Sequence, residues 1–531
     1  MSSVNGESGD SFYPNRIRDG LQAGDFVCTI EVVPPSTREI SLAETLKPFM
    51  GLAEQVRAEP RIAGLSVADR IHSDDDHDAI DFAIRLAEVS GKQPLIHWAG
   101  KKRELLDLHD AIGRMREAGL ANLLLLTGDR VKSEPPDRKV HYLESVPAIM
   151  AAKRAWPTVT IAAAVTPFKY REAELVNQYL KLGKKCNAGA DYIITQIGYD
   201  MAKFRELAWW CAGRGYLVPL VANLMPVGAA RGRYIRARRL PGVVITDDFQ
   251  ALLEEDDAIR DQGWTRAMTR LALQMVALKR MGYAGVQFTM IHVWKTIVEV
   301  MERFAALDRT LGDDEAWLEA WNDALRFADG RIAEVAPAGD FTLFTEDDNA
   351  FSLTPLTPVP APVLSEQEKP PPEIDRYRWL DRFDRWFFRK GSFGARLLGP
   401  AVARLRPGSI AERALLGLEK LTKKPSVGCE TCGFCRLGDT FYVCPETCPK
   451  GLANGPCGGT DNDVCEFGGH ECVHNQIYRL AKNMGRLDAL ENLLIPTVPD
   501  GQRGTCSWPP HFRGEGPRAE RVKDRMDPKG S

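Results

Sequence analysis

Polar side chains that could do chemistry stand at the ends of strand-like apolar runs. Because the carboxyl ends of parallel strands meet at one rim of an α/β fold, we expect these side chains to converge there. Carboxyl, amide and imidazole groups at one rim can supply a general acid or base and can hydrogen-bond a heterocycle. The residues that close or follow the runs are Glu31, His97, Asp129, Gln196, Asn223, Thr289 and His292.

A dense cysteine block is the second chemical feature. In a chain without an export signal, such clustering favours metal ligation over disulfides. Eight thiols can complete two four-cysteine sites, which would hold either two [4Fe–4S] clusters or two zinc ions. Nearby proline and glycine residues let backbone amides approach sulfur, and this favours iron–sulfur over zinc. The eight residues are Cys429, Cys432, Cys435, Cys444, Cys448, Cys457, Cys465 and Cys472.

The elements that must position the rim are eight apolar runs, with helix-like segments between them. The intervening segments are long enough for the crossover helices that parallel strands require. Eight such units in this length predict a (β/α)8 TIM barrel, with a doubly wound sheet as the alternative. Gly189 and Gly282 each stand where a helix ends before a strand. The predicted strands are 26–33, 62–67, 94–98, 121–127, 158–165, 191–197, 217–224 and 285–290.

Composition shifts divide the chain further. Residues 225–260 interrupt the barrel rhythm and read as a solvated helical excursion. Residues 376–427, which we call the connector, are basic and aromatic; they could touch a membrane surface or a partner, but packing across both domains is favoured. The predicted domains are a disordered lead (1–24), a barrel (25–350), a proline-rich linker (351–375), the connector, a cysteine-rich metal-binding domain (428–498) and a disordered tail (499–531).

Bulk composition excludes several classes of protein. A net charge of −3 over 531 residues gives no general attraction to nucleic acid. No apolar stretch is long enough to span a membrane, and the N-terminus lacks a secretory core, so we expect a cytoplasmic protein. Neither a Gly-x-Gly-x-x-Gly fingerprint after a strand nor a P-loop is present.

Four stretches of the barrel region carry specific motifs: IEVVPPST from Ile30, LLLLTGDR from Leu123, KKCNAGADYIITQIGYD from Lys184 and LVANLMPV from Leu220. Together they resemble the methylenetetrahydrofolate reductase family of flavin-dependent barrels. The resemblance covers about residues 25–310 and implies FAD over the rim, with a folate substrate stacked on its ring.

The resemblance also implies roles for individual residues. Glu31 would be the acid that opens the imidazolidine ring of 5,10-methylenetetrahydrofolate, and Gln196 would contact the pterin. Asp129 would serve catalysis as well as pterin and flavin binding. The remaining residues implied to surround the flavin are His97, Thr127, Gly128, Lys169 and Lys185, and of these Lys169 would suit the flavin diphosphate.

The cysteine block, over residues 428–480, resembles the C-terminal domain attached to some reductases of this family and the cysteine-rich partner subunit of certain anaerobic ones, where iron–sulfur clusters are expected. The barrel departs from the family at Val32-Val33, LSVADR, TPFKYR and TMIHVW. NAD(P)H is therefore only one candidate electron donor, beside an external carrier protein.

These features predict an FAD-dependent oxidoreductase that interconverts 5,10-methylenetetrahydrofolate and 5-methyltetrahydrofolate, either for methionine supply or for methyl-group oxidation. The cysteine-rich domain would relay electrons or dock a partner, and a homo-oligomer is compatible with the sequence. The alternative is a non-catalytic folate- or flavin-binding scaffold whose cysteine-rich domain docks a methyltransferase. A catalytic acid at the flavin face argues against such a scaffold.

Overall fold

Eight parallel strands close into a barrel in this computed structural model, which describes residues 12–34, 42–69, 76–130, 141–238, 240–339, 341–344, 352–354, 359–366, 370–499 and 501–522. Each strand pairs with its neighbour in sequence, and Val27 pairs with Gly285 to join the last strand to the first. The predicted (β/α)8 barrel is confirmed, and the doubly wound alternative is wrong. The strands are β1 (Val27–Val32), β2 (Ile62–Val67), β3 (Leu95–Ala99), β4 (Asn122–Leu126), β5 (Thr160–Val165), β6 (Tyr192–Thr195), β7 (Leu220–Leu224) and β8 (Gly285–Phe288).

Burial on both sides explains the run of leucines in β4. Leu124 packs with Ala162 and Tyr192 in the cluster inside the barrel. Leu123 and Leu125 point the other way, into the layer between the strands and the surrounding helices. Because both faces of a parallel strand are covered, such a strand has no need of a polar face.

Helices surround the barrel and return the chain between strands. Gly189 and Gly282 adopt positive φ angles of 106° and 83° at the helix–strand junctions predicted for them. The 225–260 excursion forms two helices, α8 and α9. The helices of this part are α1 (Arg16–Ala23), α2 (Leu42–Ala58), α3 (Ala79–Ser90), α4 (Leu105–Glu117), α5 (Ser145–Ala155), α6 (Glu172–Asn187), α7 (Met201–Arg214), α8 (Ala229–Arg238), α9 (Asp247–Asp257), α10 (Trp264–Arg280), α11 (Trp294–Thr310) and α12 (Asp314–Ala324).

Helix α1 differs from the disordered lead expected over residues 1–24. Ile17 belongs to the cluster inside the barrel, so α1 gains stability by covering one end of it. Asn15 accepts a hydrogen bond from the Arg18 amide at the start of the helix and donates one to Asn122 at 2.7 Å. Residues 1–11 lie outside the described residues.

The C-terminal part is a separate, smaller domain of helices, turns and one short two-stranded antiparallel sheet. It comprises α13 (Ile374–Phe387), α14 (Phe393–Leu397), α15 (Gly399–Ala403), α16 (Ile410–Val427), α17 (Val473–Asn483), α18 (Leu487–Asn492), β9 (Leu493–Leu494), α19 (Trp508–Arg513) and β10 (Glu520–Arg521). Short 3₁₀ turns at Leu437–Asp439 and Pro445–Thr447 carry the chain between cysteines. Parts of the predicted linker (residues 351, 355–358 and 367–369) fall outside the described residues.

Two further expectations differ from the structure. The tail predicted as disordered contains α19, because Trp508 and Phe512 of this helix pack against Phe388. It also contains β10, which pairs antiparallel with β9. The connector packs on the cysteine-rich domain, where Tyr377 meets Phe441 and Tyr442. Its aromatic helix was expected to bridge both domains; instead α17 and α18 lie against barrel helix α6.

Candidate active site

Glu31 of β1 and His97 of β3 approach each other across β2, the strand that separates theirs in the barrel. His97 Nδ1 lies 3.9 Å from a Glu31 carboxylate oxygen, and His97 Nε2 lies 2.7 Å from the Ser66 hydroxyl. Burial raises the pKa of Glu31 from 4.5 to about 6 and lowers that of His97 to about 4. The imidazole is therefore neutral whenever Glu31 is ionised, and the contact is not an ion pair.

A chain of side chains continues from Glu31 to the last two strands. The Thr289 hydroxyl hydrogen-bonds the Glu31 carboxyl and also contacts Asn223 Oδ1 at 2.6 Å. The backbone amide of Asn223 donates to the Thr195 hydroxyl at 3.2 Å. The bond from Thr289 lowers the pKa of Glu31, but this effect is smaller than that of burial, which raises it. Burial therefore leaves a carboxyl group that keeps its proton to a higher pH than usual.

Asp129 lies in a turn that the C-terminal domain also contacts. Gly128 has a φ of 93°, a backbone angle that residues other than glycine rarely adopt. Its carbonyl accepts a hydrogen bond of 2.8 Å from Lys450 Nζ. The Asp129 carbonyl accepts a bond from the Tyr142 hydroxyl at 3.1 Å. Thr127, just before this turn, is buried. Lys450 was not predicted, because a lysine among cysteines more than 300 residues away carries no local signal.

Gln196 follows β6, and its side chain is held by the backbone. Its Nε2 donates to the Pro241 carbonyl at 2.9 Å, and its Oε1 accepts from the Ile197 amide at 2.8 Å. Gly242, in the excursion, adjoins Thr166 and Gln196 so closely that a Cβ would stand 2.6 Å from Thr166 Cγ2. The excursion therefore reaches the rim.

Lys169 and Lys185 are buried and bonded within the protein. Lys169 donates to the Thr460 carbonyl of the C-terminal domain, and Lys185 donates to the Ala164 carbonyl. Burial lowers the pKa of both amines, that of Lys185 to about 7. A lysine that holds a diphosphate must present its ammonium to the ligand, whereas the ammonium of Lys169, the residue expected there, is bonded to the protein. In this arrangement Lys169 joins the two domains.

Asp69, beyond the end of β2, is a buried carboxylate that the sequence did not single out. It accepts a bond from the Ala99 amide at 2.8 Å and pairs with Arg103, which lies over Trp98. A cavity of about 190 Å³ opens beside this pair and adjoins His97. The stretch LSVADR contained the only signal, as a departure from the family pattern.

The cysteine block folds so that its thiols fall into two groups of four. All twelve cysteines are free. Burial raises the pKa of Cys444 to about 12, and nearby Cys429, Cys432 and Cys435 add to the shift. Burial likewise raises the pKa of Cys472, with smaller contributions from Cys457, Cys448 and Cys465. Within the described residues, no three His, Cys, Asp or Glu side chains converge closely enough to hold a metal ion as they stand.

Backbone amides point at the sulfurs in a repeated pattern. The Thr431 amide lies 3.5 Å from Cys429 Sγ, two residues before it. In six more cysteines the backbone two residues further along the chain also hydrogen-bonds the sulfur. This hydrogen bond lowers the thiol pKa, but burial raises it by more. The six are Cys432, Cys444, Cys448, Cys457, Cys465 and Cys472. Such amides stabilise thiolate, which is the form that ligates metals.

The group of Cys448, Cys457, Cys465 and Cys472 is the one beside the barrel. Cys448 and Cys457 pack with Leu452 against Tyr142. Lys181 of α6 donates to the Gly455 and Pro456 carbonyls at 2.9 and 3.0 Å. The other group lies near α16, where Lys423 Nζ stands 3.4 Å from Cys435 Sγ.

Glu144 fixes the loop between Cys448 and Cys457 to the barrel. Its carboxylate accepts bonds from the Ala453 and Asn454 amides at 3.0 and 2.9 Å and from the Asn454 side chain at 2.6 Å. The side chain of Asn454 also bonds the backbone of Ile495. The cysteine-rich domain is thus tied to the barrel through buried hydrogen bonds.

Sequence comparisons give the relatives of both parts. The family model described as methylenetetrahydrofolate reductase matches residues 16–304, and the one described as methylene-tetrahydrofolate reductase C terminal matches residues 409–498. Methylenetetrahydrofolate reductase 1 of Schizosaccharomyces pombe is 26% identical over 217 residues, which are 39% of this chain and 34% of the relative. Methylenetetrahydrofolate reductase (NADH) 1 of Arabidopsis thaliana is 24% identical over 273 residues, 47% of this chain and 44% of the relative. The chain spans less than half the length of these relatives.

Among solved structures, one similar protein is described as an uncharacterized protein from Clostridium thermocellum that binds two copies of 5-methyl-5,6,7,8-tetrahydrofolic acid. It is 14% identical, with a TM-score of 0.42, and the match covers 55% of this chain and 99% of that one. The reductase family model spans more than half of the chain, over the barrel that carries Glu31, His97 and Asp129. The chain belongs to the methylenetetrahydrofolate reductase family.

Proposed function

We propose that this protein interconverts 5,10-methylenetetrahydrofolate and 5-methyltetrahydrofolate as a flavin-dependent oxidoreductase. The observation that carries the proposal is the buried Glu31 carboxyl at the rim of a family barrel, with a pKa raised to about 6 beside a neutral His97. Opening the imidazolidine ring of the substrate requires a proton at one of its nitrogens. An acid whose pKa lies near neutrality can give up that proton and recover it during turnover.

The rim groups divide the remaining work. Glu31 holds the proton, while Thr289 and His97 orient the carboxyl from two sides. Asp129 and Gln196 would hydrogen-bond the pterin edge, with Asp129 also next to the flavin. For Gln196 this requires exchange of its present backbone partner, the Pro241 carbonyl.

FAD, when bound, supplies the hydride acceptor or donor for the folate carbon. The rim carboxyl, imidazole and amide groups fit the hydrogen-bonding edges of an isoalloxazine ring. Lys169 does not fit a diphosphate in its present contact, so we assign it to domain docking instead, while Lys185 stays a predicted neighbour of the flavin. The electron donor is either NAD(P)H or an external carrier.

We further propose that the two thiol groups bind one metal centre each, with [4Fe–4S] clusters preferred over zinc. Free thiols in two sets of four, each set supplied with backbone amides, support this assignment. The ligand sets would be Cys429, Cys432, Cys435 and Cys444 for the first centre, and Cys448, Cys457, Cys465 and Cys472 for the second.

The position of the second set beside Tyr142 and Lys181 supports electron relay to the rim. The loop with Lys450 reaches the Gly128 turn directly, so a centre bound there would adjoin the flavin site. If the centres are zinc, the same contacts serve docking alone.

An absorption spectrum of anaerobically purified protein, with iron and zinc analysis, tests the cofactor assignment. We expect flavin bands over a broad absorbance that dithionite bleaches, with two clusters per chain. Cys457→Ser should remove the iron of the second centre and Cys432→Ser that of the first. Stoichiometric zinc without iron would contradict the relay.

Turnover tests the reaction. We expect 5-methyltetrahydrofolate to bleach the flavin under anaerobic conditions, and 5,10-methylenetetrahydrofolate to reoxidise the reduced flavin. A colourless protein that binds folate without turnover would support the scaffold with a methyltransferase-docking domain instead. Flavin reduced by dithionite but not by NADH or NADPH would indicate a carrier protein as the donor.

A further inference from the structure

Charge is strongly segregated along this chain. The connector contains 13 lysine and arginine residues against 4 aspartate and glutamate residues, a net charge of +9, whereas the whole chain carries −3. Neither the rim chemistry nor the thiol groups account for this concentration of positive charge. Within the described part of the chain, no helix is long and apolar enough to cross a membrane.

Helix α13 packs with its apolar side outward. Tyr377 is buried against the cysteine-rich domain. On the opposite side, Trp379 and Trp386 are 60% and 66% exposed, with Phe383 between them. The rings of Trp379 and Phe383 stack at 5.5 Å and those of Phe383 and Phe387 lie 4.7 Å apart, so these three rings form one continuous exposed strip. A helix that only covered a protein core would turn this strip inward.

Helix α16 repeats the arrangement. Ile410 and Leu421 are 87% and 74% exposed, while Glu412 and Glu419 are buried. The two carboxylates accept bonds from the Cys506 and Ser507 amides, at 3.1 and 2.9 Å. The side of α16 with the two glutamates therefore packs against the protein, and the side with Ile410 and Leu421 faces outward.

Between these helices, α14 and its end expose Phe393, Leu397 and Leu398. The connector thus holds 10 of the 23 exposed large hydrophobic side chains recorded over the described residues, in about a tenth of the chain. Basic side chains flank the apolar faces. Among the described residues no ion pair is recorded for Arg376, Arg382, Lys390, Arg413, Lys420 or Lys424.

We propose that the connector docks on the surface of an anionic phospholipid bilayer, with the outward rings and aliphatic side chains of α13, α14 and α16 at the level of the headgroups. Helices with tryptophan, phenylalanine and leucine on one face and lysine and arginine beside it bind bilayer interfaces in this way. A second copy is a poor occupant, because two surfaces of charge +9 repel each other. This inference does not depend on the proposed reaction.

The test is flotation of the full-length protein with vesicles of phosphatidylcholine alone or mixed with an equal part of phosphatidylglycerol. We expect binding to the anionic vesicles only, reversed by high salt, together with a blue shift of tryptophan fluorescence. The double variant Trp379→Glu/Trp386→Glu should weaken binding by ~10-fold or more, and so should Arg382→Glu/Lys390→Glu. Leu106→Glu/Leu217→Glu, at equally exposed positions elsewhere, should bind like the wild type.

Circular dichroism and metal content of each variant should match the wild type, since the replaced side chains face solvent. Equal binding to both vesicle types, or anionic binding unaffected by the tryptophan pair, would overturn the proposal. Two other results would overturn it if the wild type bound no vesicles. One is a dimer of the wild type that is lost in the tryptophan variant, and the other is saturable binding of an acidic carrier protein.

Discussion

At the scale of residues, the decisive property of this protein is that burial changes what Glu31 and His97 are. In water they would form an ion pair at pH 5.5, but at the rim desolvation disfavours the charged form of each. The result is a carboxyl that keeps its proton beyond its usual range and an imidazole that stays neutral. The sequence provides the carboxyl and the imidazole, and their burial sets the pKa of each.

Replacing Glu31 by Gln should remove the proton donor while preserving the size of the side chain. We expect kcat for methylenetetrahydrofolate reduction to fall by about 10²–10⁴-fold, the usual contribution of a general acid. Flavin content and folate affinity should change little. The control is Glu117→Gln on the exposed side of α4. A Glu31→Gln enzyme that keeps a tenth of wild-type kcat would contradict the role assigned to this carboxyl.

The same variant should change how stability depends on pH. The folded protein holds the Glu31 proton more tightly than the unfolded chain does, so this group stabilises the fold below pH 4.5 and loses that contribution as the pH rises through about 6. A shift from 4.5 to about 6 corresponds to about 2 kcal/mol. Urea unfolding should be measured at pH 4.5 and pH 7 for both proteins. The free energy of unfolding of Glu31→Gln, relative to that of the wild type, should be about 2 kcal/mol higher at pH 7 than at pH 4.5. Parallel pH profiles would show that Glu31 titrates normally. His97 contributes the opposite slope, between about 4 and 6.5, in both proteins.

At the scale of elements, closure of the barrel depends on close backbone approach between β8 and β1. A Cβ on Gly285 would overlap the backbone carbonyl of Val27, its partner in the register that joins last strand to first. Backbone cannot move aside as a flexible side chain can. Glycine at this position is therefore required by closure rather than by any turn.

Gly285→Ala should lower the free energy of unfolding by about 3 kcal/mol or leave the protein insoluble. The matched control is Gly113→Ala in α4, where a Cβ meets nothing within 4 Å. That change should stabilise the protein by up to about 1 kcal/mol, since alanine favours helix over glycine. Thermal unfolding of both variants measures the difference, and equal melting temperatures would refute the role of Gly285.

At the scale of the whole molecule, the barrel and the cysteine-rich domain share buried polar contacts. Glu144 of the barrel accepts three bonds from residues 453 and 454, and Lys169 and Lys181 donate to carbonyls of the same domain. Buried groups of this kind are costly to leave unpaired. The two domains should therefore unfold as one unit.

Glu144→Ala should uncouple the domains, because it leaves three buried donors without an acceptor. We expect a loss of at least about 2 kcal/mol in unfolding free energy and faster proteolytic release of the cysteine-rich domain. Glu117→Ala, at an exposed position, serves as the control. If the two variants resisted protease equally, Glu144 would be irrelevant to docking.

Local pattern was enough to determine the barrel and its rim. Strands buried on both faces appear as continuous apolar runs, and polar residues that follow them reach the same edge whatever the helices between them do. This is why the sequence predicts Glu31 and His97 at the same rim, although it does not predict the contact between them. The cysteine spacing likewise predicts two sets of four thiols, but it does not say which cysteine belongs to which set.

Contacts between distant surfaces were decided only by the tertiary structure. Lys169 was expected at a diphosphate but bonds Thr460, Lys450 reaches the Gly128 turn, and the lead and tail gained helices from partners far along the chain. The outward apolar faces of α13 and α16 also became visible only once their buried sides were known. The physical reason is that desolvation and long-range hydrogen bonding depend on which surfaces meet, whereas periodicity records only that a surface is apolar.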